Sequence, residues 1–384
     1  MEKTLIIERI QDIKLPSDRS AFLWGPRKTG KTTLLRQKFP DACWIDLLDH
    51  DIFLALSRKP TSLRQVLEAQ SSRLAVIDEV QKIPNLMDEI HWLIENRDYR
   101  FILSGSSARK LKRSTANLLG GRAWRFELYP LVTHELKEKF HLEKALLHGL
   151  LPSHYLSTDS EMDLKSYVFD YLKEEIQAEA LTRNIPAFSR FLDSAAAMNG
   201  MLLNYSNAAR EAGVSVKTIR EYYQILEDTL IGYQLPSWNK SKKRRLIETS
   251  KFYFFDTGIV AALLHYKTLH PATDNFGRAF EHFIFQECRA YRHYSRLDFP
   301  IHYWRTAGGS EVDLILGDAE VAIEIKSSEN AGDRTKGIHL FKEEFKCKNA
   351  FIISRDPVPR RITSDITVLP WKTFCEMLWN GDII

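Results

Sequence analysis

Gly25-Pro26-Arg27-Lys28-Thr29-Gly30-Lys31-Thr32 is the stretch on which the reading of this chain turns. It follows the apolar run Ala21-Phe22-Leu23-Trp24 and precedes a helical pattern that starts at Thr33 and carries Leu34, Leu35 and Phe39. Strand, glycine-bounded loop, then Lys-Thr at a helix start is the layout of a phosphate-binding loop. Successive backbone N–H groups must face phosphate oxygens, and side chains at Gly25 and Gly30 would obstruct that approach. The helix beginning near Lys31 adds the positive end of its dipole. The spacing assigns Gly25, Pro26, Arg27, Lys28, Thr29, Gly30, Lys31, Thr32 and Thr33 to a nucleotide's phosphates. Lys31 would reach the β- and γ-phosphates and Thr32 would ligate Mg²⁺, so ATP and Mg²⁺ are the expected cofactors.

A second motif supports the first. Leu74-Ala75-Val76-Ile77-Asp78-Glu79 is a run of four apolar residues ending in two acids, the Walker B pattern. A parallel strand buried on both faces reads as such a run, and ligands lie at the carboxyl ends of these strands. Asp78 would hold Mg²⁺ through water, and Glu79 would orient or deprotonate the attacking water. Arg100 to Ser107 reads as a further buried strand, with Ser104 or Ser106 placed to sense the γ-phosphate. Arg109 and Arg122 follow, and either would neutralise transition-state charge in cis or in trans. Trp124 to Leu128 alternates as a strand, Asp41 to Leu47 is another, and the helical spacing of Asp51 to Gln70 breaks at Pro60. Residues 1–20 read as a leader helix or strand.

Composition narrows the classes. The chain has 384 residues, enough for two or three domains, and a formal net charge of +4. That charge permits nucleic-acid contact without arguing for it. No apolar run approaches the ~18 residues needed to cross a membrane, and the first residues lack a secretory pattern. Cys43, Cys288, Cys347 and Cys375 are scattered without a zinc-type pairing, which fits free thiols in a reduced, cytoplasmic setting.

The rest of the chain reads as three further units. Residues 1–135 form the nucleotide domain, 136–200 a helical lid, 201–268 a winged helix-turn-helix and 269–384 a C-terminal α/β domain. In the third unit a helix ending at Gly213 is followed by Ser215, a good N-cap, and a second helix. That second helix shows Lys217 and Arg220, and the basic run Lys240 to Arg245 lies between two wing strands. Lys217, Arg220, Lys242, Lys243 and Arg244 would contact DNA phosphates. A protein-docking use of the same fold is equally open. In the last unit Glu281 lies on an amphipathic helix, and Asp313 and Glu324-Ile325-Lys326 fall on a hairpin. Glu324 and Lys326 share a strand face. Asp313 and Glu324 would chelate a divalent metal and Lys326 would orient the nucleophile, with Glu281 as a helix-borne addition. That is the PD-(D/E)xK nuclease layout.

Taken together these segments resemble the prokaryotic predicted AAA-superfamily ATPases that join an N-terminal P-loop ATPase to a C-terminal domain of unknown function. The marks are the Gly25–Thr32 loop, the Ile77-Asp78-Glu79 strand end, Ser104-Gly105-Ser106-Ser107, Leu119-Gly120-Gly121-Arg122, Phe252 to Gly258, Gly277 to Glu281, Glu311-Val312-Asp313 and Glu324-Ile325-Lys326. The resemblance implies an AAA-type P-loop core with a parallel sheet, then a winged helix and a PD-(D/E)xK-like α/β fold. It implies ATP binding and says little about physiological substrate. Three functions are in play. One is an Mg-dependent ATPase whose nucleotide state controls a DNA-associated C-terminal half, one an ATP-regulated metal-dependent nuclease, and one an ATP-controlled protein-interaction module. A second sensor arginine is not evident, which leaves a monomer or dimer open beside ring assembly.

Overall fold

The computed structural model describes residues 6–16, 18–107, 119–172, 184–240, 245–331 and 336–384. Five strands open the chain: β1 Ser20–Trp24, β2 Cys43–Asp46, β3 Leu74–Asp78, β4 Arg100–Gly105 and β5 Ala123–Glu127. They form one sheet in the order β2-β3-β4-β1-β5. Every pair in it is parallel. This explains the unbroken apolar runs, because α1 (Lys31–Lys38), α2 (His50–Arg58), α3 (Leu63–Glu68) and α4 (Leu86–Arg97) are the crossovers that cover the faces. Phe22, Ile77 and Leu103 pack on one face, and Leu23, Val76 and Ile102 on the other. Pro60 ends α2's run as expected, in a single 3₁₀ turn, Pro60–Ser62, that leads into α3. After β1 the chain crosses beyond β4 and β3 to β2, comes back through β3 and β4, and places β5 on the other side of β1, so the order reverses at β1. Open α/β sheets take their ligands at that point. The leader is neither helix nor strand over residues 6–16. It is held instead by buried side-chain contacts described below.

The middle of the chain shares one hydrophobic core. Leu151, Leu164, Tyr167, Phe188 and Phe191 pack with Ile219, Tyr223, Phe252 and Phe254. The helices Tyr205–Ala212 and Val216–Asp228 are separated by Gly213, whose φ of 70° is the left-handed conformation a C-cap glycine supplies. The Ser215 hydroxyl accepts the Thr218 N–H at 3.1 Å and starts the second helix. Strands β6 (Gly232–Leu235) and β7 (Lys251–Phe254) follow as an antiparallel pair. The described ends of the connection between them lie against a neighbouring strand. Trp238 N–H donates to the Tyr303 carbonyl at 2.6 Å and Ile247 N–H to the Arg305 carbonyl at 3.0 Å. Both acceptors lie on β8 (Ile301–Arg305), an outer strand whose unpaired backbone groups would otherwise face solvent.

The last sheet is mixed. Strand β8 pairs antiparallel with β9 (Glu311–Leu316), which pairs antiparallel with β10 (Val321–Ile325). Strands β11 (Asn349–Ser354), β12 (Arg360–Thr363) and β13 (Ile366–Pro370) complete the order β12-β13-β11-β10-β9-β8. The 21-residue helix Asp274–Tyr294 packs on it through Phe276, Phe280, Phe283 and Ile284, all buried. Among the described residues, no helix is long and apolar enough to cross a membrane.

Candidate active site

The phosphate loop leaves β1 after Trp24 and enters α1 at Lys31. Gly30 has φ 92°, which an L residue adopts only under strain. A Cβ at Gly25 would lie 2.5 Å from the Leu128 carbonyl oxygen, so glycine is required there by space. The Lys31 ammonium is buried and donates to the carbonyls of Gly25 at 2.7 Å and Pro26 at 3.1 Å. A buried ammonium needs such acceptors. Thr29 is also buried, Pro26 lines the turn, and Arg27 receives the Tyr167 hydroxyl on its carbonyl at 3.4 Å. Lys28 carries φ 66° and is exposed; Thr33 faces outward on the first turn.

The two motifs meet. The Thr32 hydroxyl donates to Asp78 Oδ2 at 2.5 Å. The Ser104 hydroxyl donates to the other oxygen of Asp78, and Glu79 N–H donates to that same Oδ1 at 3.1 Å. Register explains the meeting, because Ile77 pairs with Leu103 and Trp24 with Gly105, so three strand ends share one edge. Glu79 itself takes φ 57°, a left-handed turn that carries the chain out of the sheet. Its carboxylate accepts from Gln81, and Gln81 also donates to the Ser106 hydroxyl at 3.0 Å. Thus Ser104 touches the Walker B aspartate directly, and Gln81 links Ser106 to Glu79. The oxygen donors of Thr32 and Asp78 beside Lys31 suit a magnesium nucleotide, and Gly25 keeps the cradle open.

Arg122 must be corrected as an in-cis catalytic residue. It precedes β5, and Ser20 N–H donates to its carbonyl at the start of β1. Five strand residues at ~3.3 Å each put it about 17 Å from the loop end of the sheet. Its guanidinium pairs there with Glu95 at the end of α4. Arg109 lies outside the described residues.

Two features of this end of the molecule carried no sequence signal. Arg9, from the leader, is buried and donates to the Thr29 carbonyl at 2.6 Å, the Tyr129 carbonyl at 2.7 Å, Glu135 at 2.9 Å and the Tyr294 hydroxyl at 3.1 Å. One side chain therefore ties the phosphate loop to the last residue of the long C-terminal helix. Burial works against its charge, but Glu135 and Tyr294 outweigh that and raise its pKa. His154, buried beneath Tyr167 with ring centroids 5.2 Å apart, is pushed down to about 4 by burial.

The C-terminal residues also come together. Asp313 Oδ2 accepts the Ile325 N–H at 2.7 Å, and Lys326 donates to Glu324 at 2.5 Å. Burial, then the charges of Glu324 and Glu281, hold Asp313 well above the usual carboxylate range, and burial raises Glu324 as well. Glu324 Oε2 is buried without a hydrogen-bond partner in the structure. Sequence reasoning missed Lys251 of β7. Its buried ammonium pairs with Glu281 at 3.0 Å and Glu311 at 2.7 Å, and Tyr253 donates to Glu281 at 2.5 Å. Among the described residues no group of three or more His, Cys, Asp or Glu side chains is arranged to hold a metal ion. The expected metal pair Asp313 and Glu324 is instead interleaved with lysines. Glu281, Asp313 and Lys326 line a cleft with Arg278 and Ser327.

The proposed DNA contacts fall differently. Lys217 is exposed, and the Arg220 guanidinium stacks 4.5 Å over the Tyr205 ring. Lys240 pairs with Asp318 at 2.5 Å, and Arg245 accepts the Ala307 N–H on its carbonyl at 2.9 Å. Lys242, Lys243 and Arg244 lie outside the described residues.

Comparison with known proteins agrees with this geometry for the first third of the chain. Residues 17–137 match the family described as AAA domain. That unit is similar to the P-loop domains of AAA type. Residues 139–270 match a domain of unknown function, DUF8612, and residues 276–374 another, DUF4143. Uncharacterized proteins of Mycobacterium bovis and Mycobacterium tuberculosis are each 27% identical over 303 residues, covering 77% of this chain. The match spans 66%, just under two thirds, of those relatives' own length. An uncharacterized protein of Methanocaldococcus jannaschii is 24% identical over 378 residues, covering 90% of this chain and 83% of its own. Two solved structures are similar in part. The Aeropyrum pernix Orc1 protein in complex with DNA has 12% identity and a TM-score of 0.30 over 65% of this chain and 87% of that one. A Pyrococcus horikoshii signal transduction ATPase with a tetratricopeptide repeat sensor has 14% identity and a TM-score of 0.22, over 73% and 48%.

Proposed function

We propose that the AAA domain binds Mg-ATP and hydrolyses it, with Lys31 on the phosphates, Thr32 and Asp78 as magnesium ligands and Glu79 as base. The observation that carries this reading is the 2.5 Å approach of Thr32 Oγ1 to Asp78 Oδ2 beside the phosphate loop. Two oxygen ligands from motifs 46 residues apart converge where the AAA fold expects them. Magnesium, when bound, would neutralise phosphate charge. In the reaction, water oxygen bonds to the γ-phosphorus as the bond to the ADP oxygen breaks, and the water's proton passes to Glu79. Ser104 fixes Asp78 for its part. The test is Lys31→Ala, with Lys31→Gln as a milder companion. Phosphate release should fall by about 100-fold or more, as loss of a charge-stabilising group in phosphoryl transfer does. Unchanged turnover in either variant removes the assigned site.

A second reading attaches to the C-terminal half. It makes Asp313, Glu324, Lys326 and Glu281 a nuclease-like centre under nucleotide control. The unpartnered Glu324 Oε2, beside the Asp313 carboxyl raised by burial and then by its acidic neighbours, is what favours it. Mg²⁺- or Mn²⁺-dependent cleavage of DNA or RNA that vanishes in Asp313→Asn, with ATP turnover intact, supports that role. DNA association through Lys217 and Arg220 would weaken steeply with added salt, and protein docking would not.

A further inference from the structure

Gln81 sits two residues beyond Glu79 in a 3₁₀ turn, Val80–Lys82, that tucks beneath the end of β4. Gln81, Glu79 and Ser106 are all buried. An amide nitrogen has two hydrogens to give. Here Nε2 gives one to Glu79 Oε2 and the other to Ser106 Oγ at 3.0 Å. The reverse orientation would press the amide oxygen against a carboxylate, so chemistry settles which atom faces Glu79. The amide oxygen is left buried with no hydrogen-bond partner. A buried acceptor without a donor costs about 1–3 kcal/mol. The fold accepts that cost and also keeps a glycine to make room, since a Cβ at Gly105 would collide with Gln81 Oε1. The strand-end turn at Glu79, with φ 57°, is a third local cost. Three unfavourable local features converge on one result, a clamped Glu79 carboxylate.

We infer that Gln81 is a positioning residue for hydrolysis. It holds Oε2 of Glu79 and ties it to Ser106, the residue that follows β4, leaving Oε1 of the glutamate as the oxygen that meets the attacking water. The inference rests on the ATPase reading above. It also gives Ser106 a role the sequence pattern missed: an anchor for the clamp rather than a direct sensor.

The experiment uses the full chain and steady-state phosphate release, with fluorescent ATP-analogue binding measured in parallel. Gln81→Met preserves volume and removes both donors. Its kcat should fall about 10- to 100-fold, at or below the low end of general base effects because the base itself remains, with KM and analogue affinity within about threefold of the parent, as for an interaction made only in the transition state. Ser106→Ala should give a smaller loss of the same kind, because the clamp keeps one of its two bonds. The decisive arm is a double-variant cycle. In a Glu79→Gln background, Gln81→Met should cost nothing further, because residues acting through one group are not additive. A merely structural glutamine would instead lower nucleotide affinity and cost the same in both backgrounds. Parent-like kcat in Gln81→Met, or additive losses in the cycle, overturns the inference while leaving ATP hydrolysis standing. Absence of Lys31-dependent turnover in the unaltered protein overturns both.

Discussion

Arg9→Ala offers the sharpest test of how the molecule is held together. The guanidinium and the Glu135 carboxylate are both buried, with side-chain exposures of 5% and 0%. Glu135 also accepts backbone N–H groups of Ile10 at 3.0 Å and Val132 at 3.2 Å, so it cannot swing out to water without breaking the turn. Removing the arginine leaves that carboxylate uncompensated, and breaking one partner of a buried pair costs about 3–5 kcal/mol. The carbonyls of Thr29 and Tyr129 lose donors in addition. Set against a typical stability of about 5–15 kcal/mol, this is a large fraction. Urea unfolding followed by far-UV circular dichroism should show the midpoint falling strongly with m little changed. Analogue affinity should fall too, because Thr29 belongs to the phosphate loop. Adding Glu135→Gln removes the stranded charge and should recover about half the loss or more. Arg9→Ala within about 1 kcal/mol of the parent, below the range for a broken buried pair, or no recovery in the double variant, would refute the reasoning.

Other outcomes follow from the same geometry. Lys251→Met removes the ammonium that Glu281 and Glu311 share, while Glu311 keeps Arg305 at 3.3 Å and Glu281 keeps the Tyr253 hydroxyl. A loss of about 3 kcal/mol, the low end for a broken buried pair, is expected, with Glu281→Gln restoring part of it in denaturant titration. His282 is buried, with Nε2 on the Phe254 carbonyl at 2.7 Å and Nδ1 facing the Asn199 amide at 3.2 Å. A second proton has no acceptor there, and burial pushes the pKa down to about 4. Because the folded value lies below the unfolded one, the contribution is present above about pH 6.5 and is lost as pH falls toward 4, by up to about 3 kcal/mol. His282→Gln should show a shallower decline in stability over that window than the parent. Gly149→Ala would force φ 73° on an L residue and drive its methyl into Asp256, so reduced soluble yield and a lower melting temperature are expected.

The sheet and its loop were legible because buried parallel strands write themselves as apolar runs and because phosphate loops admit few residue types. Pro60 and Gly213 announced their breaks for the same local reasons. Arg9 was not legible: a lone arginine in an irregular leader has no period, and its partners lie as far as residue 294. Gln81 looked like any polar residue after a strand, since only the packing against Gly105 reveals its task. Lys251 opens an apolar strand with nothing local to mark it, and it is the neighbouring β-sheet that buries it among acids. Arg122 misled because residue order puts it before β5 but does not say that β5 runs parallel to β1, which sends it to the far end of the sheet.

The long helix Asp274–Tyr294 has one residue of chemical interest near each end. Glu281 meets Lys251, and thirteen residues later, about 20 Å away at 1.5 Å per residue, the Tyr294 hydroxyl receives the Tyr129 N–H at 3.0 Å as well as Arg9. A continuously hydrogen-bonded rod transmits tilt and rotation with little internal give. Arg9 thus joins the Thr29 carbonyl to the end of the same helix that carries Glu281.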